Sequence, residues 1–144
     1  MKQAFLSWQV WAFLSAIFAA LTAIMAKCGV SNLPPDFATF VRTCVVIIML
    51  CVIVSVTGQW QPLSKLAGRG GVFLLLSGLA TGASWLCYFR ALKMGDAARV
   101  APIDKLSVVF VAVLSACFLG ERLSILSWLG VVLIAGGAVL IACQ

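Results

Sequence analysis

Five long apolar blocks, residues 8–26, 37–56, 71–89, 100–119 and 125–143, run through the sequence and are separated by short polar segments. Within each block the apolar residues are continuous rather than alternating, and the blocks are too long for strands, so the pattern predicts helices. At 1.5 Å of rise per residue, about 19 or 20 residues reach roughly 30 Å, the thickness of a bilayer's hydrocarbon core. Each block can therefore cross a membrane once. The separators carry helix-breaking residues: Ser31-Asn32-Leu33-Pro34-Pro35-Asp36, the stretch 58–70 bounded by Gly58 and Gly70, and Lys93-Met94-Gly95-Asp96. Between the last two blocks, Gly120 suits a left-handed C-cap and Ser124 an N-cap, which predicts a tight hairpin and antiparallel neighbours. The expected architecture is all-α, a polytopic membrane bundle of five transmembrane helices, with residues 1–144 forming a single domain.

Composition strengthens this reading. Of the 144 residues, 64% are hydrophobic and 10% are charged, with a mean hydropathy of +1.17; soluble domains carry about 25% charged residues. A soluble core could not enclose that much apolar surface, whereas lipid solvates it provided the backbone closes its own hydrogen bonds. The first block could pass for a signal peptide, but Lys27 and Cys28 follow it instead of a small-residue cleavage site, so it reads as a membrane span. Of six cysteines, Cys44, Cys51, Cys87, Cys117 and Cys143 lie inside apolar blocks and Cys28 at an edge, which predicts small packing residues rather than a disulfide framework. There is no histidine and no C-x-x-C pair, so neither a metal nor another cofactor is expected.

The net charge of +6 reflects ten basic residues against four acidic ones; eight of the ten lie outside the blocks, Arg42 and Lys105 lie deeper, and the scattered pattern is one of interfacial charges and not a nucleic-acid footprint. With five crossings, one membrane face receives Lys2, Lys65, Arg69 and Arg122 and the other Lys27, Arg90, Lys93 and Arg99. The positive-inside rule acts through an imbalance. None exists here, so orientation is weakly specified and a dual topology is open.

A charge inside a transmembrane helix costs about 2.5–3.5 kcal/mol on insertion scales, so each one needs a partner, a wet cavity or a route to the interface. Lys27, at the close of the first block, is expected to snorkel. Arg42 lies in the second block between Thr39 and Thr43, and its planar fork suits a carboxylate or phosphate. Two readings stay open for it: contact with a solute, or a structural role at the interface or paired with Asp104. In the fourth block Pro102 suits a first helical turn, and Asp104 just after it complements the helix dipole. On a regular helix Asp104 also shares a face with Ser107, Val111 and Ser115, and Lys105 adjoins it. In the third block Gly78, Thr81, Trp85 and Tyr88 form one stripe, with Gly78 and Gly82 permitting close helix packing and the aromatics suiting a pocket wall. Ser15, Ala19 and Thr22 make a similar small stripe in the first block. Gly130, Gly136 and Gly137 thin the fifth helix for close packing or a subunit contact.

The segments Leu14-Ser15-Ala16-Ile17-Phe18-Ala19-Ala20-Leu21-Thr22, Leu76-Ser77-Gly78-Leu79-Ala80-Thr81-Gly82, Tyr88-Phe89-Arg90-Ala91-Leu92, Val100-Ala101-Pro102 and Leu119-Gly120-Glu121 together resemble the EamA family of the drug/metabolite transporter superfamily, in a short form of one five-helix repeat. The resemblance covers nearly the whole chain. Longer relatives carry two such repeats in inverted orientation around a shared cavity, an arrangement common among transporters. For a single repeat the resemblance implies a homodimer, with antiparallel insertion preferred and a parallel pair possible, in the bacterial inner membrane. Glu121 matches the family's acidic residue after the fourth helix and is expected to be structural, pairing with Arg122 or a loop cation. The expected activity is alternating-access transport of a small polar metabolite or amino-acid-like solute, anionic or zwitterionic. Its contact residues are expected to be Arg42, Trp85, Tyr88, Asp104 and Lys105, then Ser107, Ser15 and Thr22. The alternative is a non-transporting membrane scaffold or assembly subunit. No enzyme is expected, because there is no histidine, no G-x-S-x-G elbow and no carboxylate pair.

Overall fold

The structure is a computed structural model that describes residues 8–143; Lys2, assigned above to one membrane face, lies outside the described residues. Five helical stretches are long and apolar enough to cross a bilayer, and no strand occurs among the described residues. Helices α1 (Trp8–Val30) and α2 (Pro35–Thr57) have 23 residues each, and α3 (Arg69–Met94) has 26. The fourth crossing is divided into α4 (Ala97–Asp104), α5 (Ser107–Leu114) and a π-helical turn, Ser115–Leu119. Helix α6 (Ile125–Ala142) makes the fifth.

Most large apolar side chains point outward: Leu75, Phe118 and Ile125 are 72%, 82% and 90% exposed. Water would penalise this surface by about 25 cal/mol per Å². Lipid does not, and the helices satisfy their own backbone groups, so the chain is an integral membrane protein whose outward faces meet the bilayer. Exposure places most of the cysteines on the lipid-facing surface. All six are free, and Cys28, Cys51, Cys87, Cys117 and Cys143 are exposed.

Helix boundaries differ from the apolar blocks where end chemistry favours extension. Pro35 takes a first-turn position of α2, where its missing N–H costs nothing, and Asp36 joins it at the positive end of the dipole. Helix α3 runs on through Lys93 and Met94, so Arg90 and Lys93 are helical and not loop residues. At the far end of α2, Gly58 adopts φ 65°, and the Gln59 N–H returns to the Val54 carbonyl at 3.1 Å, closing a Schellman turn.

The fourth crossing corrects the sequence reading most. The helix starts at Ala97, so Pro102 lies inside α4 and not in its first turn, and Asp104 ends α4 instead of opening a helix. Proline removes a backbone donor and crowds the preceding turn. After it the bonding tightens to three-residue steps, with the Leu106 N–H on Ile103 (3.0 Å), Val108 on Lys105 (3.0 Å) and Val109 on Leu106 (3.0 Å). The continuous face expected from Asp104 through Ser115 is thus interrupted at Lys105 and Leu106. Further on, the Ser115 hydroxyl donates to the Val111 carbonyl at 2.6 Å, and the helix loosens into its π turn. The predicted hairpin forms: Gly120 has φ 68°, and Ser124 Oγ accepts the Ser127 N–H at 3.1 Å.

The chain divides into two compact units, Ala26–Lys93 and the combination of Met1–Met25 with Met94–Gln144. In the latter, α6 packs against α4 and α5. In the former, the 3-10 turn Leu63–Leu66 folds against the start of α3, where a Cβ on Gly71 would collide with the Leu66 carbonyl oxygen. Among the described residues, no close neighbour stands at Gly78 or Gly82 within their own unit, nor at Gly130, Gly136 or Gly137 within theirs: a Cβ at any of them meets nothing within 4 Å.

Candidate solute site

In the unit Ala26–Lys93 the end of α1, the start of α2 and the end of α3 are tied by cations. Lys27 Nζ donates to the Leu92 carbonyl at 2.7 Å. A snorkelling lysine was expected there. The carbonyl wins because it offers a fixed acceptor at a helix end, where orphan carbonyls and the dipole both favour a cation. Lys93 Nζ donates to the Leu33 carbonyl at 2.9 Å and the Ser31 carbonyl at 3.3 Å, closing the α1–α2 connection. Arg90 grips Asp36 with two parallel bonds, Nε to Oδ1 at 3.1 Å and Nη2 to Oδ2 at 2.9 Å. Three of the four cations assigned to this membrane face are thus fixed to backbone or carboxylate oxygen.

Arg42 lies eighth in α2, roughly 10 Å along the helix from Pro35 at 1.5 Å per residue. Its Cζ sits 4.1 Å from the centroid of the Trp85 ring and 5.5 Å from that of Phe89. Tyr88, one turn from Trp85, interacts with it electrostatically. The guanidinium is half-buried and Phe89 is 3% exposed. The neighbouring hydroxyls turn back onto their own helix: Thr39 donates to the Pro35 carbonyl at 2.9 Å and Thr43 to the Thr39 carbonyl at 2.8 Å. Stacking on aromatic faces holds a guanidinium by cation–π attraction of about 0.5–2 kcal/mol, more where water is excluded. Within this unit the one acid, Asp36, is taken by Arg90 and not by Arg42. Asp104 Oδ2 pairs with Lys105 Nζ at 3.4 Å.

Of the residues singled out in the sequence, Arg42, Trp85 and Tyr88 come together in one unit. Asp104 and Lys105 form their pair in the other, at the break where Ser107 begins α5. Ser15 and Thr22 lie on α1, Ser15 exposed and Thr22 half-buried. Glu121 takes part in neither ion pair found among the described residues. The sequence reading missed Phe89, although its spacing of four from Trp85 places both rings on one helical face. It also missed the Asp36–Arg90 pair, which joins residues 54 apart. Among the described residues, no three His, Cys, Asp or Glu side chains gather in a group able to hold a metal ion.

Comparison with known proteins agrees with the architecture. The chain is 62% identical over 136 residues to a protein of Sinorhizobium sp. named as an uncharacterized transporter in the cobO 3′ region, covering 94% of this chain and 96% of that one. It is 28% identical over 132 residues to the uncharacterized transporter YxxF of Bacillus subtilis (strain 168), covering 91% of this chain but 41% of that longer protein. No solved structure matches it. The profile of the EamA-like transporter family matches residues 6–143, and the chain, a membrane transporter, belongs to that family.

Proposed function

We propose that residues 1–144 act as one transporter domain that moves a small polar metabolite or amino-acid-like solute by alternating access, as a homodimer in the bacterial inner membrane. The observation that carries this reading is the Arg42 guanidinium, stacked on Trp85 inside a membrane-crossing helix and without a carboxylate among the described residues. A charge kept there at a cost of about 2.5–3.5 kcal/mol is unexplained by packing alone and is accounted for by a solute. Arg42, Trp85 and Tyr88 form one group of contacts. Asp104, Lys105 and Ser107, at the break between α4 and α5, form another, and interrupted helices are where transporters expose polar groups at membrane depth. Ser15 and Thr22 are secondary contacts.

Two observations support a second copy. The stretch matched in the Bacillus subtilis relative is 41% of that protein, which is therefore more than twice as long as the matched stretch. The open glycines of α3 and α6 weaken their helices by up to about 1 kcal/mol each with no close neighbour in their own units among the described residues, whereas a partner helix could approach closely there. An antiparallel partner reproduces an inverted repeat, and the balanced loop charges allow it; a parallel partner is the alternative. The test is uptake or efflux in reconstituted vesicles. Arg42→Ala and Asp104→Ala should each abolish transport while expression and dimer persist, and normal transport by both would remove the site.

A further inference from the structure

Arg42 narrows the chemistry of the solute, an inference that rests on the transport reading above. Its guanidinium carbon lies over the Trp85 ring, 4.1 Å from the centroid, and 5.5 Å from that of Phe89. A ring engages the charge of a guanidinium without accepting its N–H groups as carbonyls or carboxylates do, so the fork of donors stays available to another partner. Among the described residues those donors meet neither a hydrogen-bond acceptor nor an ion-pair partner. The nearby acid, Asp36, gives both its oxygens to Arg90. The chain holds ten Lys and Arg against four Asp and Glu and is short of acids to neutralise the remainder.

A guanidinium does not lose its proton in a protein, so Arg42 cannot escape its cost by becoming neutral. Cation–π attraction offsets part of that cost but leaves a planar fork of donors unused. The ligand that completes such a fork is a planar oxyanion that accepts two parallel hydrogen bonds. We propose that Arg42 binds the carboxylate of the transported solute edge-on, with Trp85 fixing the plane of the guanidinium from one face, and that the solute class is therefore small organic carboxylates, amino acids included. Phe89 and Tyr88 flank the same group. Arg42 sits roughly 10 Å along α2 from Pro35, by the 1.5 Å rise of an α-helix.

An oxyanion at this depth could come from a free solute or from the phosphodiester of an anionic lipid, and the experiment separates the two. The full chain is placed in phosphatidylcholine nanodiscs and melted against a library of small carboxylic acids, each matched with its carboxamide, with discs containing phosphatidylglycerol as a second series. At least one carboxylate should raise the melting temperature where its amide does not, because a ligand that binds only the folded state stabilises it. Arg42→Lys, which keeps the charge and loses the fork, should weaken that ligand roughly tenfold. Arg42→Gln should abolish the shift, and Trp85→Leu should weaken it with the charge intact. The inference is overturned if no carboxylate shifts the melt, if amides or amines shift it equally, if Arg42→Gln keeps the shift, or if only phosphatidylglycerol stabilises the wild type. Vesicle uptake of the library then separates this inference from the transport reading. Uptake of neutral or cationic solutes that survives Arg42→Gln sinks the carboxylate and leaves transport standing; carboxylate binding without passage of any solute does the reverse.

Discussion

Cations in this protein do two different jobs, and their partners tell them apart. Lys27 satisfies a main-chain carbonyl in the last turn of α3 and Lys93 two in the α1–α2 connection, and an unpaired acceptor in a low-dielectric setting is costly. Arg90 is matched to Asp36 in an outward pair, both side chains 59% exposed, a geometry that orients α2 against α3. Arg42 lies against aromatic rings, and the one acid of its unit, Asp36, goes to Arg90; under the transport proposal that leaves Arg42 for the solute. Lys27→Met should therefore destabilise the chain by about 1–3 kcal/mol, because the Leu92 carbonyl lies in a fully buried residue and loses its ammonium donor. Thermal melts in detergent would show this as a lower midpoint, and an unchanged midpoint would mean that the carbonyl finds another donor. Transport, where the protein still folds, should be affected far less than by Arg42→Ala.

Helix ends and interruptions follow from local chemistry that can be tested one turn at a time. The hairpin before α6 depends on Gly120 at φ 68° and on the Ser124 cap, so Ser124→Ala should cost about 1 kcal/mol of stability and Gly120→Ala about 1–2 kcal/mol through the left-handed backbone. Guanidinium or sodium dodecyl sulfate titrations of each variant would report the loss. Gly71 and Gly78 make a sharper contrast on one helix. At Gly71 an added methyl meets the Leu66 carbonyl, so Gly71→Ala should displace the Leu63–Leu66 turn and destabilise by about 1–3 kcal/mol. At Gly78 the same methyl meets open space, so Gly78→Ala should leave the monomer as stable or raise it by up to about 1 kcal/mol. If Gly78 lies against a partner copy, that variant should lower the dimer fraction in chemical cross-linking without lowering the melt.

For the chain as a membrane body, orientation and assembly are linked. With the loop cations assigned four to each face, insertion is expected to have little to choose between the two orientations. Reporter fusions that are active on only one side of the membrane, placed at the C-terminus, should give signal from both sides at comparable levels. Adding two or three lysines to the Lys65–Arg69 segment should then bias the population to one side and, if the dimer is antiparallel, reduce transport in parallel with the loss of the minor orientation. A single orientation in the wild type, with full transport, would support the parallel pair instead.

The number of crossings, their order, the hairpin at Gly120 and Ser124 and the family could all be read from the chain, because burial in lipid and turn chemistry act on residues close in sequence. Trp85, Tyr88 and Arg42 stood out for the same reason: polar and aromatic groups are conspicuous in an apolar block. Their partners were not legible. Arg42 meets Trp85 across 43 positions of chain and Arg90 meets Asp36 across 54, and nothing in local spacing says which of several cations each acid or ring will take. The division of the fourth crossing was half visible, since Pro102 announces a disturbance. Where the ladder then shifts depends on how the turns after it rebond, and in the structure that falls at Lys105 and Leu106, beside Asp104. Pairing at a distance is set by the packing of whole helices, so it appears only when the fold brings those helices together.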